Sequence, residues 1–173
     1  MSSPSRLTSG ATSLALLLAS VTTGCFYGFS SGTGLSGVDT MAVTPCENET
    51  RRLELATELY DVMFQQLPAR LGLQIAGEDV ADIIVRCVIR DYVLDTPNFR
   101  TRGEETPEIL QRQVTVRAAV QIIDQRDRVV LWEDRSLQAE GQYLEASENE
   151  EIGRAEAFQL LVQRILDGAQ SNW

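Results

Sequence analysis

The sequence predicts an α+β fold, a two-layer sandwich in which two helices pack on one face of a mixed four-stranded sheet in the order β-α-β-β-β-α. Two observations predict this fold. Two segments carry apolar residues at three- and four-residue steps, which is typical of amphipathic helices, and three long segments alternate apolar and polar residues, which is typical of strands. Two helices in this order cannot cover both faces of so small a sheet without long crossovers, so both are expected on one face.

The first strand is predicted at residues 38–44 and ends at Pro45, which has no N–H to donate to a sheet. Polar residues follow, and Asn48 or Thr50 is the expected N-cap of the first helix. The helical pattern then continues until Pro68, near which the helix is expected to end. It consists of Leu53, Ala56, Leu59 or Tyr60, Met63 and Leu67. A short extended piece or loop is predicted for residues 71–76.

Three central strands are predicted at residues 81–94, 113–123 and 129–143, and the polar turn 124–128 joins the last two as an antiparallel hairpin. In the first of these strands, alternation places on the core face Ile83, Val85, Cys87 and Ile89. The opposite face is expected to carry Arg86, Arg90 and Tyr92, together with Thr115, Arg117 and Gln121 of the next strand. Because both helices lie on the core face, this second face is predicted to be uncovered.

The connection at residues 95–112 is long for a hairpin tip and contains the acidic cluster Glu104, Glu105 and Glu108. Connections of this length are usually mobile or functional. A second amphipathic helix is predicted at residues 148–166, ending at Asp167 and Gly168, where glycine suits a left-handed cap.

The first 24 residues have the layout of a secretory signal peptide: Arg6, a short apolar run at 11–19, and small residues up to Gly24. The run is about half the roughly 20 residues that a membrane-spanning helix needs. Cys25 follows directly, and its surroundings resemble the lipobox of bacterial lipoprotein precursors, with Thr22 where that pattern prefers Leu. Cleavage between Gly24 and Cys25 and acylation of Cys25 are therefore expected. The alternatives are an ordinary signal peptide that is cut nearby or a wrongly chosen start codon.

This predicts four regions along the chain. A signal peptide covers residues 1–24, a lipidated N-terminus with a Gly/Ser-rich leash covers 25–37, a single domain covers 38–168, and a tail covers 169–173. Acyl chains on Cys25 would hold the domain at a membrane, since two or more chains anchor a protein stably.

The charge balance argues against nucleic acid as a partner. The chain has 25 acidic residues and 15 basic residues, all of them arginine, and a net charge of −10. Binding of nucleic acid phosphates needs clustered positive charge. The same balance disfavours free adsorption to anionic lipid, so attachment to a membrane would depend on acylation.

The remaining cysteines, Cys46 and Cys87, form one disulfide candidate in an oxidising compartment. The pattern favours unbonded residues, because Cys87 lies within an apolar strand as a small core residue and Cys46 follows Pro45 at a strand exit. No metal site is expected, since the chain has no histidine and no close cysteine pair.

The sequence does not predict an enzyme or a bound cofactor. It contains neither histidine nor lysine, and no nucleophile elbow, phosphate loop or dinucleotide fingerprint occurs. The acidic pairs Glu104–Glu105 and Glu150–Glu151 lie in a loop and at a helix start, where solvated or dipole-compensating charges are the usual explanation.

Several stretches resemble one family of envelope proteins. The run "CFYGFSSGTGLSGVDTMAVTPCENET" is similar to the start of mature lipopolysaccharide-assembly outer-membrane lipoproteins of the LptE type, and Asn48 and Thr50 match the Asn-x-Thr motif before the first helix. The stretches "ADIIVRCVIRDY", "QVTVRAAVQIID" and "RVVLWEDRSLQAEGQY" resemble the three central strands of that family, including Leu131, Trp132 and Glu133 near the turn.

The resemblance implies a non-enzymatic protein that plugs and helps assemble the large outer-membrane β-barrel that delivers lipopolysaccharide to the cell surface. It also implies an anchor on the periplasmic side of the outer membrane, since Phe26 stands where Asp would signal retention at the inner membrane. Arginine binds phosphate in a bidentate manner, so Arg86, Arg90 and Arg117 are candidates for contacts with lipopolysaccharide or with acidic barrel residues. The alternative for these arginines is that they are solvated. The alternative function is a periplasm-facing module that binds a cell-wall synthase or another envelope complex.

Overall fold

The computed structural model describes residues 37–95 and 111–171, which form an α+β fold with both helices on one face of a mixed sheet, as predicted. The sheet has six strands rather than four. In chain order the elements are β1 (Thr40–Val43), β2 (Glu47–Asn48), α1 (Glu54–Leu71), β3 (Gln74–Ile75), β4 (Ile83–Asp95), β5 (Gln111–Asp124), β6 (Val129–Leu144) and α2 (Glu150–Ser171).

The strands lie in the order β3-β1-β4-β5-β6, and β2 pairs with β4 beyond the end of β1. Strand β1 is parallel to β3 and β4, whereas β4, β5 and β6 form an antiparallel meander. The two additional strands, β2 and β3, have two residues each. Strand β3 lies within the stretch 71–76 that was predicted as a short extended piece or loop, whereas β2 was not predicted, because two residues cannot show an alternating pattern.

Helix α1 begins later and ends later than the sequence indicates. Its N-cap position is Leu53, and no side chain caps it there. Asn48 instead organises the preceding turn, because its Oδ1 accepts hydrogen bonds from the N–H and the hydroxyl of Thr50 at 2.9 and 2.7 Å. Asn48 and Thr50 therefore shape the approach to the helix and do not cap it.

Pro68 does not end helix α1, which continues to Leu71. A proline in the last turn removes one helical N–H, but its own carbonyl still accepts hydrogen bonds. The carbonyl of Pro68 accepts the N–H of Gly72, and the N–H of Leu73 lies 2.9 Å from the same oxygen. Gly72 has φ 72°, the left-handed conformation that closes the helix.

Tyr92 lies on the helix-covered face of the sheet, contrary to the alternation in the sequence. The pairing of β4 with β5 shifts by one residue between Ile89 and Asp91. Such a bulge moves all the following side chains to the opposite face. Consequently the hydroxyl of Tyr92 donates a hydrogen bond to Glu150 at the start of α2, at 2.6 Å.

Helix α2 also extends beyond its predicted end and continues through Gly168 to Ser171. Gly168 is required there for packing rather than as a left-handed cap. A Cβ at this position would lie 2.5 Å from the indole ring of Trp132 on β6. The sequence cannot reveal this requirement, because the two residues meet only in the folded protein.

The helices run parallel to one another, and polar side chains join them. Glu58 of α1 bonds to Arg154 of α2, and Gln66 bonds to Gln159 further along both helices, at 2.6 Å. The apolar core lies between the helices and the sheet, and its largest fully buried side chains include Phe158, Leu59, Met63, Ile89, Ile122 and Leu161.

None of the helices in the described ranges is long and apolar enough to cross a membrane.

Candidate functional site

The face of the sheet opposite the helices carries the three arginines that the sequence singles out. The side chains of Arg86, Arg90 and Arg117 are 57%, 49% and 51% exposed. Arg86 and Arg90 lie on β4, and Arg117 lies on the neighbouring strand β5. These three guanidinium groups are thus accessible to a ligand or protein that binds this face.

The face is not uncovered along its whole length. Near the start of β4, Ile84 is buried together with Ala42 of β1 and Ala81 of the preceding loop, and Ala76 packs against them. This small second cluster lies on the side of the sheet away from the helices. The open and polar part of the face is therefore the part that includes Arg86 and the residues beyond it on β4.

Each of the three arginines has an acidic neighbour. Arg86 lies 3.6 Å from Glu78, and Arg117 lies 3.4 Å from Asp91. Arg90 is paired with Glu49, and this hydrogen bond raises the pKa of Arg90. Exposed ion pairs of this kind contribute little to stability, because water and salt screen them. An anionic ligand could therefore replace these carboxylates at little cost.

A shallow cavity of about 380 Å³ opens on this face. It brings Arg86 and Arg90 together but does not include Arg117. Its lining consists of Arg86, Val88, Arg90, Ala119, Gln121, Glu133 and Arg135. Val88 and Ala119 are cross-strand partners, so small apolar side chains separate the surrounding charged groups.

Arg135 was not predicted as a site residue, although it lines the same cavity. The pairing of β6 with β5 is irregular between Ala118 and Val120, where Ala118 faces Leu137 and Val120 faces Asp134. Strict alternation from the buried Leu137 would turn Arg135 toward the core. The bulge reverses this direction, and no pattern in the sequence marks it.

Glu133 is the acidic neighbour of Arg135. Its carboxylate accepts hydrogen bonds from Arg135 and from Gln121, both at 2.8 Å. These two bonds, that from Arg135 above all, lower the pKa of Glu133. Around neutral pH the cavity therefore presents three guanidinium groups and one carboxylate. This arrangement can bind a phosphate or carboxylate group through charge-assisted hydrogen bonds.

A disulfide joins Cys46 and Cys87, with their Cα atoms 4.8 Å apart. The interpretation of both residues as unbonded was therefore wrong. The pairing of β2 with β4 places the two cysteines side by side. Because β2 has only two residues, the sequence around Cys46 did not indicate this pairing. The bond attaches β4 to the segment of Cys46 at a point directly before Val88 and three residues before Arg90, which both line the cavity.

Several predicted features lie outside the described residues, namely the cleavage position at Gly24, the lipidation position Cys25 and the acidic cluster Glu104, Glu105 and Glu108. Within residues 37–95 and 111–171, no group of three or more metal-binding side chains occurs.

The model of one protein family covers most of this chain. The lipopolysaccharide-assembly family LptE matches residues 38–167. The chain belongs to the LptE family. The match spans every element from β1 through nearly the whole of α2. It therefore includes the disulfide and the sheet face opposite the helices, which we refer to as the outer face.

A solved structure of low sequence identity shares the fold of this LptE-family chain. The hypothetical protein CT253 from Chlamydia trachomatis has a TM-score of 0.53 at 12% identity, covering 78% of this chain and 97% of that one. Two weaker similarities are to lipoproteins. GNA1162 from Neisseria meningitidis has a TM-score of 0.45 at 13% identity, covering 75% and 96%. A minor lipoprotein from Acinetobacter baumannii has a TM-score of 0.44 at 19% identity, covering 78% and 92%. No curated protein matches the chain.

Proposed function

We propose that this protein is an outer-membrane lipoprotein that plugs and helps assemble the lipopolysaccharide-translocating β-barrel, and so supports lipopolysaccharide delivery to the cell surface. The observation that carries the proposal is the LptE family match over residues 38–167. No catalytic role is proposed.

The proposed anchor is an acylated Cys25, produced by cleavage after Gly24 and held on the periplasmic side of the outer membrane. The signal-like N-terminus supports export. The disulfide between Cys46 and Cys87 supports the same destination, because disulfides form and persist in oxidising compartments such as the periplasm.

The outer sheet face suits a polar environment such as a barrel lumen. Its side chains beyond the Ile84 cluster are mostly charged or amide groups, and its arginines have exposed, weakly held partners. We propose that Arg86, Arg90 and Arg117 contact lipopolysaccharide phosphates or acidic residues of the barrel, with Arg135 as a fourth contact.

The test compares two triple variants of equal charge. In the first, Gln replaces the three predicted contact residues Arg86, Arg90 and Arg117. In the control, Gln replaces three arginines on the helices or on the helix side of β5, namely Arg70, Arg112 and Arg164. Binding of purified lipopolysaccharide and co-purification of the barrel from outer membranes are measured for both.

We expect the first triple variant to weaken lipopolysaccharide binding or barrel co-purification by at least about tenfold, since each charge-assisted hydrogen bond contributes roughly 1.5–3 kcal/mol. The control should behave like the wild type. If both variants keep wild-type values in both assays, the outer face does not make these contacts. If the wild-type protein co-purifies with no β-barrel, the plug function itself is rejected.

A further inference from the structure

One end of the domain gathers the beginning of the described chain, the loop 77–82 and the β5–β6 turn 124–128; we refer to it as the Gly37 end. Arg126 of the turn donates a hydrogen bond to the carbonyl of Gly37 at 2.6 Å. The carboxylate of Asp82 accepts the N–H groups of Asp39 and Thr40, each at 3.0 Å. The point where the domain connects to the preceding residues is therefore held firmly against this end.

The loop and the turn are joined by Gln125. Its backbone N–H donates to the carbonyl of Asp82 at 2.8 Å, and its side chain donates to the carbonyl of Ala81 at 2.9 Å. Three exposed valines lie in these two segments or directly after them. Val80 is 75% exposed, Val129 53% and Val130 48%. The Gly37 end thus presents three exposed valines.

Arg128, next to Val129, has the backbone angle φ 57°. It is the only non-glycine residue with positive φ among the described residues. Arginine in this left-handed conformation costs roughly 1–2 kcal/mol, which glycine would avoid. Within the described ranges Arg128 makes no ion pair and no side-chain hydrogen bond. Residues held in sparsely populated backbone conformations cluster at functional sites.

We propose that the Gly37 end contacts the headgroup layer of the membrane leaflet that holds the acyl chains, with the valines entering the interface and Arg128 binding a lipid phosphate. The contact rests on the proposed acylation of Cys25. Cys25 precedes Gly37 by twelve residues. Twelve residues span at most about 43 Å even when fully extended, so an anchor at Cys25 keeps the Gly37 end within reach of the leaflet.

Charge determines which lipid surface suits this end. Glu78, Asp79 and Asp127 lie in the same loop and turn as the valines and oppose attraction to anionic headgroups. Long basic side chains such as Arg128 can extend to phosphates while apolar neighbours enter the interface. The contact is therefore expected to depend on valine insertion and on zwitterionic lipid, with little gain from anionic lipid.

The experiment uses the full lipidated protein on vesicles of phosphatidylethanolamine and phosphatidylcholine, with and without phosphatidylglycerol. A single new thiol is introduced in one of two variants, Val130→Cys or Ser147→Cys, and is labelled with an environment-sensitive fluorophore. Ser147 lies in the exposed β6–α2 loop at the opposite end of the domain. The native Cys46 and Cys87 are bonded to each other and do not react. Emission wavelength and quenching by a lipid-borne nitroxide are then measured.

We expect a blue shift and quenching for the label at Val130, the same with and without phosphatidylglycerol, and neither effect at Ser147. The shift should be lost when Val80 and Val129 are both changed to Asp. It should persist when Leu53 and Ile152, exposed apolar residues near the helix N-termini, are changed to Asp. These variants change only exposed positions, and circular dichroism verifies their folding.

An unshifted label at Val130 on vesicle-bound protein would overturn the membrane contact and leave the lipoprotein assignment intact. A protein that does not stay on the vesicles would reject the acyl anchor and the contact together. A blue shift that appears only in the purified barrel complex, and not on vesicles, would assign the Gly37 end to a protein partner and overturn the proposal.

Discussion

The backbone of β6 at Gly141 lies directly against the backbone of α2 at Gly153. A Cβ on Gly141 would lie 1.9 Å from the carbonyl oxygen of Gly153 and 2.7 Å from the backbone nitrogen of Ala157. Strand and helix approach this closely only because neither glycine has a side chain to separate them. The contact fixes the position of the N-terminal half of α2 over the sheet.

Changing Gly141 to Ala should therefore destabilise the protein by about 3 kcal/mol or more, because two backbones must move apart to accommodate one methyl group. Urea unfolding measures the loss. Gly77→Ala is the matched control, since its Cβ would have only Val80 nearby, at 4.0 Å, and should change stability by less than about 0.5 kcal/mol. Equal stability of the two variants would contradict the close approach.

The disulfide between Cys46 and Cys87 should stabilise the domain. The bonded residues are 41 positions apart, and closing a loop of this size stabilises the native state by about 4 kcal/mol in the chain-entropy model. The double change of Cys46 and Cys87 to Ala should cost about 2–4 kcal/mol in urea unfolding. Reducing agent should destabilise the wild type but not the double variant, and an equal response of both would refute the bond.

The ion pair of Arg154 with Glu58 should stabilise the contact between the helices. Arg154 donates from Nε and Nη2 to the two carboxylate oxygens of Glu58 at 2.6 and 2.9 Å, and its side chain is 9% exposed. Removing one partner leaves a buried charge uncompensated. Because Glu58 is 40% exposed and Glu150 remains near Arg154, Glu58→Gln should cost only about 1–2 kcal/mol.

A double-mutant cycle measures the coupling of this pair. Arg154→Met alone removes the buried charge, and the double variant with Glu58→Gln should lose less stability than the sum of the two single losses. Strictly additive losses would show that the two side chains do not interact.

Asp82 should make stability depend on pH in the acidic range. Hydrogen bonds from the backbone N–H of Asp39, then from the hydroxyl and the backbone N–H of Thr40, lower the pKa of Asp82 in the folded protein. A lowered carboxyl pKa stabilises the fold above the unfolded value of about 3.9, and this stabilisation is lost as pH falls through the folded pKa.

Asp82→Asn should therefore reduce stability at pH 7, and its difference from the wild type should shrink as pH falls below about 4. Urea unfolding at several pH values measures this difference. Asp79→Asn, at an exposed position in the same loop, is the control. A difference between wild type and Asp82→Asn that is the same at all pH values would mean that the carboxylate charge plays no part.

Arg128→Gly should stabilise the isolated protein by up to about 1 kcal/mol, because glycine adopts φ 57° without strain. Thermal unfolding provides the measurement. Arg126→Gly is the opposite control, since Arg126 bonds to the carbonyl of Gly37 and should lose stability on substitution. A destabilised Arg128→Gly variant would show that Arg128 makes a stabilising contact in the fold.

On the outer face, alternation in the sequence predicted the direction of some side chains and not of others. Alternation along β4 and β5 placed Arg86, Arg90 and Arg117 on the face away from the helices, and the structure places them there. The same alternation failed for Tyr92, which lies after a bulge that shifts the pairing by one residue, and Arg135, for which no direction was predicted, lies within a bulge of β6. A bulge is decided by how two strands pair, so neither strand shows it alone.

What the sequence determines by itself is local: the two amphipathic helices, the three long strands, the hairpin turn and the predominance of acidic residues. Each follows from neighbours along the chain or from composition. Only the tertiary structure decided the bond between Cys46 and Cys87, the need for glycine at 141 and 168, and the inclusion of Arg135 in the cavity. These features depend on distances between segments far apart in sequence, which packing of the helices against the sheet brings together.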